Sequence, residues 1–260
     1  MKFRLLPTPP QEVILLRHCA DARFVWNLAL EQRRLYRLRL RPAPGYAEQN
    51  RQLTEARAAN SWLAEGSAVV QQQALRDLDQ AFRNFFRGTH GYPKWRQRDR
   101  AEGFRVVAVL PEHMRQLNAR AGTVYVPKIG WMRFRWSRPI PAEVKSYRVT
   151  RDAAGRWHVA FAWIPPVIDG PGTGQVVGLD RGVVVSVMTS DGDAFRAPGL
   201  RPKEAERLLR LQRRLARAQR GSHRRLRLKR AVARLRRREA DRRRDWIEQT
   251  TTAMARRYDL

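Results

Sequence analysis

Apolar positions recur along the first third of the chain at three- and four-residue steps. Val13, Leu16, Ala20, Phe24, Leu28 and Leu35 mark one face of a helix predicted from Gln11 to about Leu40. Pro7-Thr8-Pro9-Pro10 precedes this helix and Pro42-Ala43-Pro44-Gly45 ends it. Before the prolines, Lys2 to Leu6 alternates as a short strand does. A second helix is predicted over Tyr46 to Ala59. A third covers Ser67 to Phe86, where Val70, Ala74, Leu78, Ala81 and Phe85 share a face and Gly88 follows the end.

The texture changes at Gly91-Tyr-Pro-Lys-Trp95. Between Gly103 and Ile164, β-branched and aromatic residues gather in short runs separated by Gly and Pro. Phe104 to Val109, Thr123 to Val126, Trp131 to Trp136, Val144 to Thr150 and Trp157 to Trp163 read as five strands, spaced as in a small antiparallel barrel. Asp152-Ala-Ala-Gly155 supplies the hairpin loop between the last two. Pro165-Pro166 and Gly170 to Gly174 read as a linker at a domain boundary. A long strand is predicted over Val176 to Met188, turned by Ser190 to Asp193 into a second that ends near Ala197. Helices follow over Lys203 to Gln219 and Ser222 to Tyr258. Leu208, Leu211, Leu215 and Ala218 on one, and Leu228, Val232 and Leu235 on the other, form the narrow seams of an antiparallel helical hairpin.

Charge narrows the class of partner. The 260 residues hold 53 Lys+Arg against 24 Asp+Glu, a net charge of +29, and only six of the basic residues are lysines. An excess of guanidinium favours bidentate contact with phosphate, so a polyanion is the expected partner. From Arg201 to Leu260 there are 22 basic and seven acidic residues, a net +15, leaving +14 for the first 200. With 43% hydrophobic residues, eight Trp and nine Phe, the chain can build cores, which argues against wholesale disorder. It shows no apolar run of membrane-spanning length, and Met1 to Pro10 has no signal-peptide core; a cytoplasmic setting is expected. A single cysteine, Cys19, excludes an intramolecular disulfide framework and a Cys-based zinc ribbon, so no zinc is expected in this chain.

Asp180 stands out because it falls among valines, where a buried carboxylate is costly without a metal or ion partner. The pattern also admits a turn or bulge at Asp180-Arg181-Gly182 between two shorter strands. On the last two helices, Arg213, Arg214, Arg217, Arg224, Arg225, Arg242 and Arg243 form either a solvated, self-repelling face or a surface neutralised by phosphates. Gln71 to Arg76 and Arg83 to Arg87 could offer amides and guanidinium groups to base edges, with surface solvation the alternative. Trp95, Trp131 and Trp136 suit either stacking on bases or a barrel core. The five histidines show no metal-ligand spacing, and Gly170 to Gly174 lacks the lysine and the strand-to-helix setting of a phosphate loop.

Taken in order, Phe3 to Thr8 with Gln11, Arg23-Phe-Val-Trp-Asn27, Gly91-Tyr-Pro-Lys-Trp-Arg96, Val126-Pro-Lys-Ile-Gly-Trp131, Gly178-Leu-Asp-Arg-Gly-Val183, Leu211 to Leu215 with Gly221-Ser222, Arg242 to Ile247 and Tyr258-Asp-Leu260 form a set. Together they resemble the TnpB family, the OrfB-type proteins carried by bacterial insertion sequences and related to type V CRISPR effectors. The resemblance implies an RNA-guided DNA endonuclease of a mobile element, with a guide RNA and target DNA as partners and magnesium as cofactor, in the cytoplasm near the nucleoid. It implies an α+β multidomain fold: a small antiparallel β-barrel, the wedge domain, at 1–9 and 100–168; a helical recognition domain inserted at 10–99; a linker at 169–175; and the first part of a RuvC-like, ribonuclease H-fold nuclease domain at 176–260, with a long helical hairpin. Arg4, Arg76, Arg83, Arg87, Lys94, Arg96 and Lys128 join the seven helical arginines as expected nucleic-acid contacts.

Asp180 maps to the family's first catalytic, magnesium-binding aspartate. Arg181 stands where an apolar residue is usual and Glu248 where a histidine is common. The family's Glu follows the stretch matching Tyr258-Asp-Leu260, and a further Asp lies beyond. The chain is therefore expected to be C-terminally truncated, without the zinc-ribbon cysteines and with an incomplete metal site. Two magnesium ions need several converging carboxylates, so this chain is expected not to cut DNA alone. The alternatives are a non-catalytic RNA/DNA-binding or regulatory derivative, and an inactive remnant.

Overall fold

The computed structural model describes residues 1–38, 43–100, 102–107, 109–141, 143–164 and 174–259. The end of the expected first helix at 39–40, Pro42 after it, position 108 of an expected strand and positions 165–173 of the linker region lie outside the described residues. The chain divides into two units, Met1–Pro165 and Pro166–Leu260.

Unit 1 runs β1 (Lys2–Arg4), α1 (Pro9–Leu38), α2 (Tyr46–Ala59), α3 (Ser61–Ala64), α4 (Ala68–Phe86), β2 (Gly103–Val107), β3 (Met114–Asn118), β4 (Ala121–Val126), β5 (Gly130–Arg135), β6 (Ser146–Arg151) and β7 (Trp157–Ala162). All its strand pairings are antiparallel, in one sheet ordered β1-β7-β6-β2 and another ordered β3-β4-β5. The sheets meet where the Leu5 N–H donates to the Trp157 carbonyl at 3.0 Å and the next N–H, of Leu6, donates to the Arg133 carbonyl at 2.8 Å.

The expected closed barrel is not formed among the described residues, because β2 and β3 are not paired with each other. The connection between them passes through a single 3₁₀ turn at Pro111–His113, whose proline has no N–H to give a ladder, and α4 and α1 pack against β2. β3 was not expected from its polar sequence. It is held by backbone pairing to β4, with an irregularity between Gln116 and Asn118.

The core lies between α1, α4 and the inward faces of the strands, with Leu15, Leu30, Leu78, Val124, Phe134 and Val159 fully buried. The face named for α1 by its period is the outer one: Val13 is 67% exposed and Leu28 49%. Leu15, Cys19, Ala22, Val25, Ala29 and Leu30 turn inward instead. The helix is apolar on both sides, so spacing alone does not choose, and the inner side carries the small residues that let α4 and the sheet approach closely.

Unit 2 contains β8 (Leu179–Asp180), β9 (Val187–Thr189) and β10 (Ala194–Phe195) in an antiparallel sheet ordered β10-β9-β8, then α5 (Pro202–Ala216) and α6 (His223–Arg257). The long strand expected over Val176 to Met188 is replaced by two short ones. The Gly182 N–H turns back to the Val185 carbonyl at 3.1 Å, and Val183 and Val184 point into solvent. A run of valines is a strand only where neighbours cover it, and a sheet this narrow does not. The helical hairpin forms. Gly221 takes φ +83° at the turn, the Arg225 N–H donates to the Ser222 hydroxyl at 3.1 Å, and Leu208, Leu228 and Leu235 bury the seam.

Candidate nucleic-acid interface

In unit 1 the segment 92–97 is pinned to α1 by three bonds. The Trp26 indole N–H donates to the Lys94 carbonyl at 3.0 Å, the Asn27 side-chain amide donates to the Arg96 carbonyl at 3.0 Å, and the Arg96 N–H donates to Asn27 Oδ1 at 2.8 Å. The last two make a side chain act as a strand neighbour, which fixes Lys94 and Arg96 without a sheet. The Arg96 guanidinium lies over the Trp26 ring at 3.9 Å. Burial lowers its pKa to about 10, a shift that Asp77 opposes and Arg148 reinforces.

This segment closes one side of a cavity of about 850 Å³ whose other walls come from α1, α4, β2 and β6. Arg34, Lys94, Arg96, Arg100, Arg105 and Arg148 line it, with Asp77 the acid among them. Asp77 Oδ2 lies 3.4 Å from Arg148 and Oδ1 3.8 Å from Arg105, and Oδ1 accepts from the Gln73 amide at 2.8 Å. Trp95 stands on the rim, 43% exposed, with the Arg34 guanidinium 5.8 Å from its ring.

Of the residues expected to touch nucleic acid, Lys94 and Arg96 come together in this cavity. Arg76 donates to the Tyr46 hydroxyl at 2.9 Å, and Arg83 pairs with Asp79 at 2.9 Å. Arg87 is exposed at the end of α4, Lys128 is exposed in the β4–β5 turn at φ +65°, and Arg4 lies on β1 opposite His158. Gln71 does not face solvent as expected. It is wholly buried, accepts from Arg57 and donates to Asp21 and to the Leu63 carbonyl at 3.3 and 3.0 Å. Trp131 is 37% exposed with Arg115 4.3 Å over its ring, whereas Trp136 stacks on buried Phe134.

Missed in the sequence were Arg34, Asp77, Arg100, Arg105 and Arg148, and the positioning roles of Trp26 and Asn27. The signal was partly present: Arg23 to Asn27 and Gly91 to Arg96 both belong to the resembling set, and each supplies what the other lacks in hydrogen bonds.

In unit 2, Arg213, Arg214, Arg217 and Arg224 are exposed, and their side chains have no hydrogen-bond or ion-pair partner among the described residues. Arg225 donates to the Leu215 and Ala218 carbonyls at 2.7 and 2.8 Å, satisfying the end of α5. Arg242 donates to Glu204 at 2.7 Å and Arg243 to the Pro198 carbonyl at 3.4 Å. The Arg242 bond, against some burial, holds Glu204 at about pKa 2.

Asp180 is not buried among valines. It is exposed on β8, opposite Met188, in the short-strand arrangement that the sequence also admitted. Among the described residues no group of three or more His, Cys, Asp or Glu could hold a metal ion. As described, these residues do not fit a two-magnesium centre. No helix among them is long and apolar enough to cross a membrane.

Two models of one family match the chain. A probable transposase model, OrfB_IS605, matches residues 164–260, and the helix-turn-helix domain of the same family matches residues 1–39, of which the described residues 1–38 contain β1 and one uninterrupted helix, α1. Two curated relatives carry the name "Putative RNA-guided DNA endonuclease". One, InsQ of Escherichia coli (strain K12), is 31% identical over 100% of this chain and 64% of its own length. The other, from Streptomyces pristinaespiralis, is 33% identical over 98% of this chain and 63% of its own. The chain thus spans less than two thirds of the length of either. Among solved structures, a cryo-EM CRISPR-Cas12f ternary complex aligns with a TM-score of 0.41 at 13% identity, covering 82% of this chain and 54% of that one.

Proposed function

Since this chain belongs to the OrfB, or TnpB-type, family of insertion-sequence proteins, we propose that it grips RNA and DNA for a mobile element, in the manner of an RNA-guided DNA endonuclease. Unit 1 would combine the wedge and recognition parts, and unit 2 the start of a RuvC-like domain with Asp180 as its first metal ligand. The observation that carries the reading is the cavity at 92–97: five arginines and a lysine converge on it against one aspartate. Such an excess within one concave surface favours phosphate. Guide and target would be read by base pairing, the protein holding backbone and shape.

One observation favours the second reading, a non-catalytic binding derivative: Asp180 is exposed, and among the described residues no group of three or more His, Cys, Asp or Glu could hold a metal ion. Purification of the 260-residue chain with its associated nucleic acid, followed by a magnesium titration on guide-matched DNA, tests both. RNA that co-purifies at low salt and leaves at high salt is the expected result. Cutting that Asp180→Ala abolishes supports the nuclease; retained binding without cutting supports the derivative. A chain that holds no nucleic acid at any salt overturns both.

A further inference from the structure

The cavity of unit 1 is more specific than a basic patch. At about 850 Å³ it is the size of a small-molecule site, too confined for a double helix to enter. Its charges are unevenly answered. Asp77 pairs with Arg105 and Arg148, while the side chains of Arg34, Lys94 and Arg96 have no carboxylate within ion-pair distance among the described residues. Arg96 is the sharpest case: stacked on Trp26, fixed through its own backbone by Asn27, and with no hydrogen-bond acceptor for its guanidinium among the described residues. A fixed, partly desolvated fork of donors is costly in the free protein and is what a phosphate oxygen pair satisfies. Beside it, the exposed Trp95 ring offers a flat apolar face at the rim.

We propose that this cavity binds one unpaired nucleotide of a single strand, with its phosphate on Arg96 and Lys94 and its base stacked on Trp95. The inference rests on the reading above only in taking the partner to be a nucleic acid. RNA and DNA share this chemistry, and the probes separate them.

The test uses the full 260-residue chain with fluorescent oligo-uridylate, oligo-thymidylate and a blunt duplex, read by anisotropy at fixed salt. Trp95→Ala and Arg96→Met, the second keeping an apolar stem on Trp26, are each expected to weaken single-strand binding about tenfold, the size of one lost base–aromatic stack or charged contact. Duplex binding should stay within about twofold of the wild type, because the cavity does not admit it. Arg87→Met, exposed outside the cavity, should weaken both probes alike. Melting curves check that the variants fold; if Arg96→Met does not, Trp95→Ala decides alone, since its ring is largely at the surface. Tighter binding of one homopolymer identifies the strand. Single strands bound equally by wild type and Trp95→Ala, or duplex bound with no single-strand binding at all, overturn the pocket while leaving a nucleic-acid partner in place. Failure of the wild type to bind any probe removes that partner and the pocket with it.

Discussion

At the hairpin between β6 and β7 the Asp152 carboxylate gathers donors from its own loop and from β7. Oδ1 accepts from the Ala154 and Arg156 N–H groups at 2.9 Å each, and Oδ2 from Arg156 Nε at 3.0 Å and His158 Nε2 at 3.1 Å. Burial alone would raise its pKa, but these bonds hold it at about 2. Its folded value is thus below its ordinary one of 3.8, so the stability it contributes is full above that value and is lost as pH falls through the folded one. The melting-temperature gap between wild type and Asp152→Asn is expected to shrink from about pH 4 to pH 2; a gap unchanged over that range contradicts the assignment. The loop was legible from Asp152-Ala-Ala-Gly155, because an Asx turn needs only neighbouring residues. Gln71 was not legible. Its partners Asp21, Arg57 and Leu63 are remote in sequence, and nothing local distinguishes a glutamine that reaches them from one in water.

Among the elements, the helices were read to within about two residues at most ends, since capping and period are local. Which face each one buries was read less well. The α5–α6 seam followed its leucines, since a hairpin with few apolar residues has one way to hide them. On that basis Leu235→Ala, at a residue 4% exposed, should destabilise the hairpin by about 2 kcal/mol or more. Leu209→Ala, at 56% exposed on the facing helix, should stay within about 0.5 kcal/mol. Urea unfolding followed by circular dichroism separates them, and equal effects would mean the seam is misplaced. α1 shows the opposite situation. With apolar residues on both sides, its orientation is set by what α4 and the strands can pack against, which no window on α1 contains.

Across the molecule, the charge is the quantity that ties sequence to partner. Part of its excess gathers around the cavity of unit 1 and part on exposed arginines of the hairpin, and binding should be correspondingly salt-dependent. A plot of log affinity against log salt is expected to fall with a slope of roughly −0.7 for every phosphate contacted on a single strand. Arg96→Met should reduce that slope by about one contact's worth. A flat plot would leave the charge without a phosphate partner. The amino-acid sequence by itself determined the sign and density of that charge, the helices other than the short α3, most strands of unit 1, the family and the ordered set of short stretches that carries it. These rest on periods, turns and compositions that neighbouring residues specify. Only the tertiary structure decided that the two sheets meet at Leu5 and Leu6 without closing, and that the stretch around Asp180 breaks into two short strands joined by an exposed turn at Val183 and Val184. It likewise decided that Trp26 and Asn27 hold Lys94 and Arg96 against a cavity. Each depends on backbone groups and side chains remote in sequence finding one another, and burial, unlike periodicity, is a property of the whole packed chain.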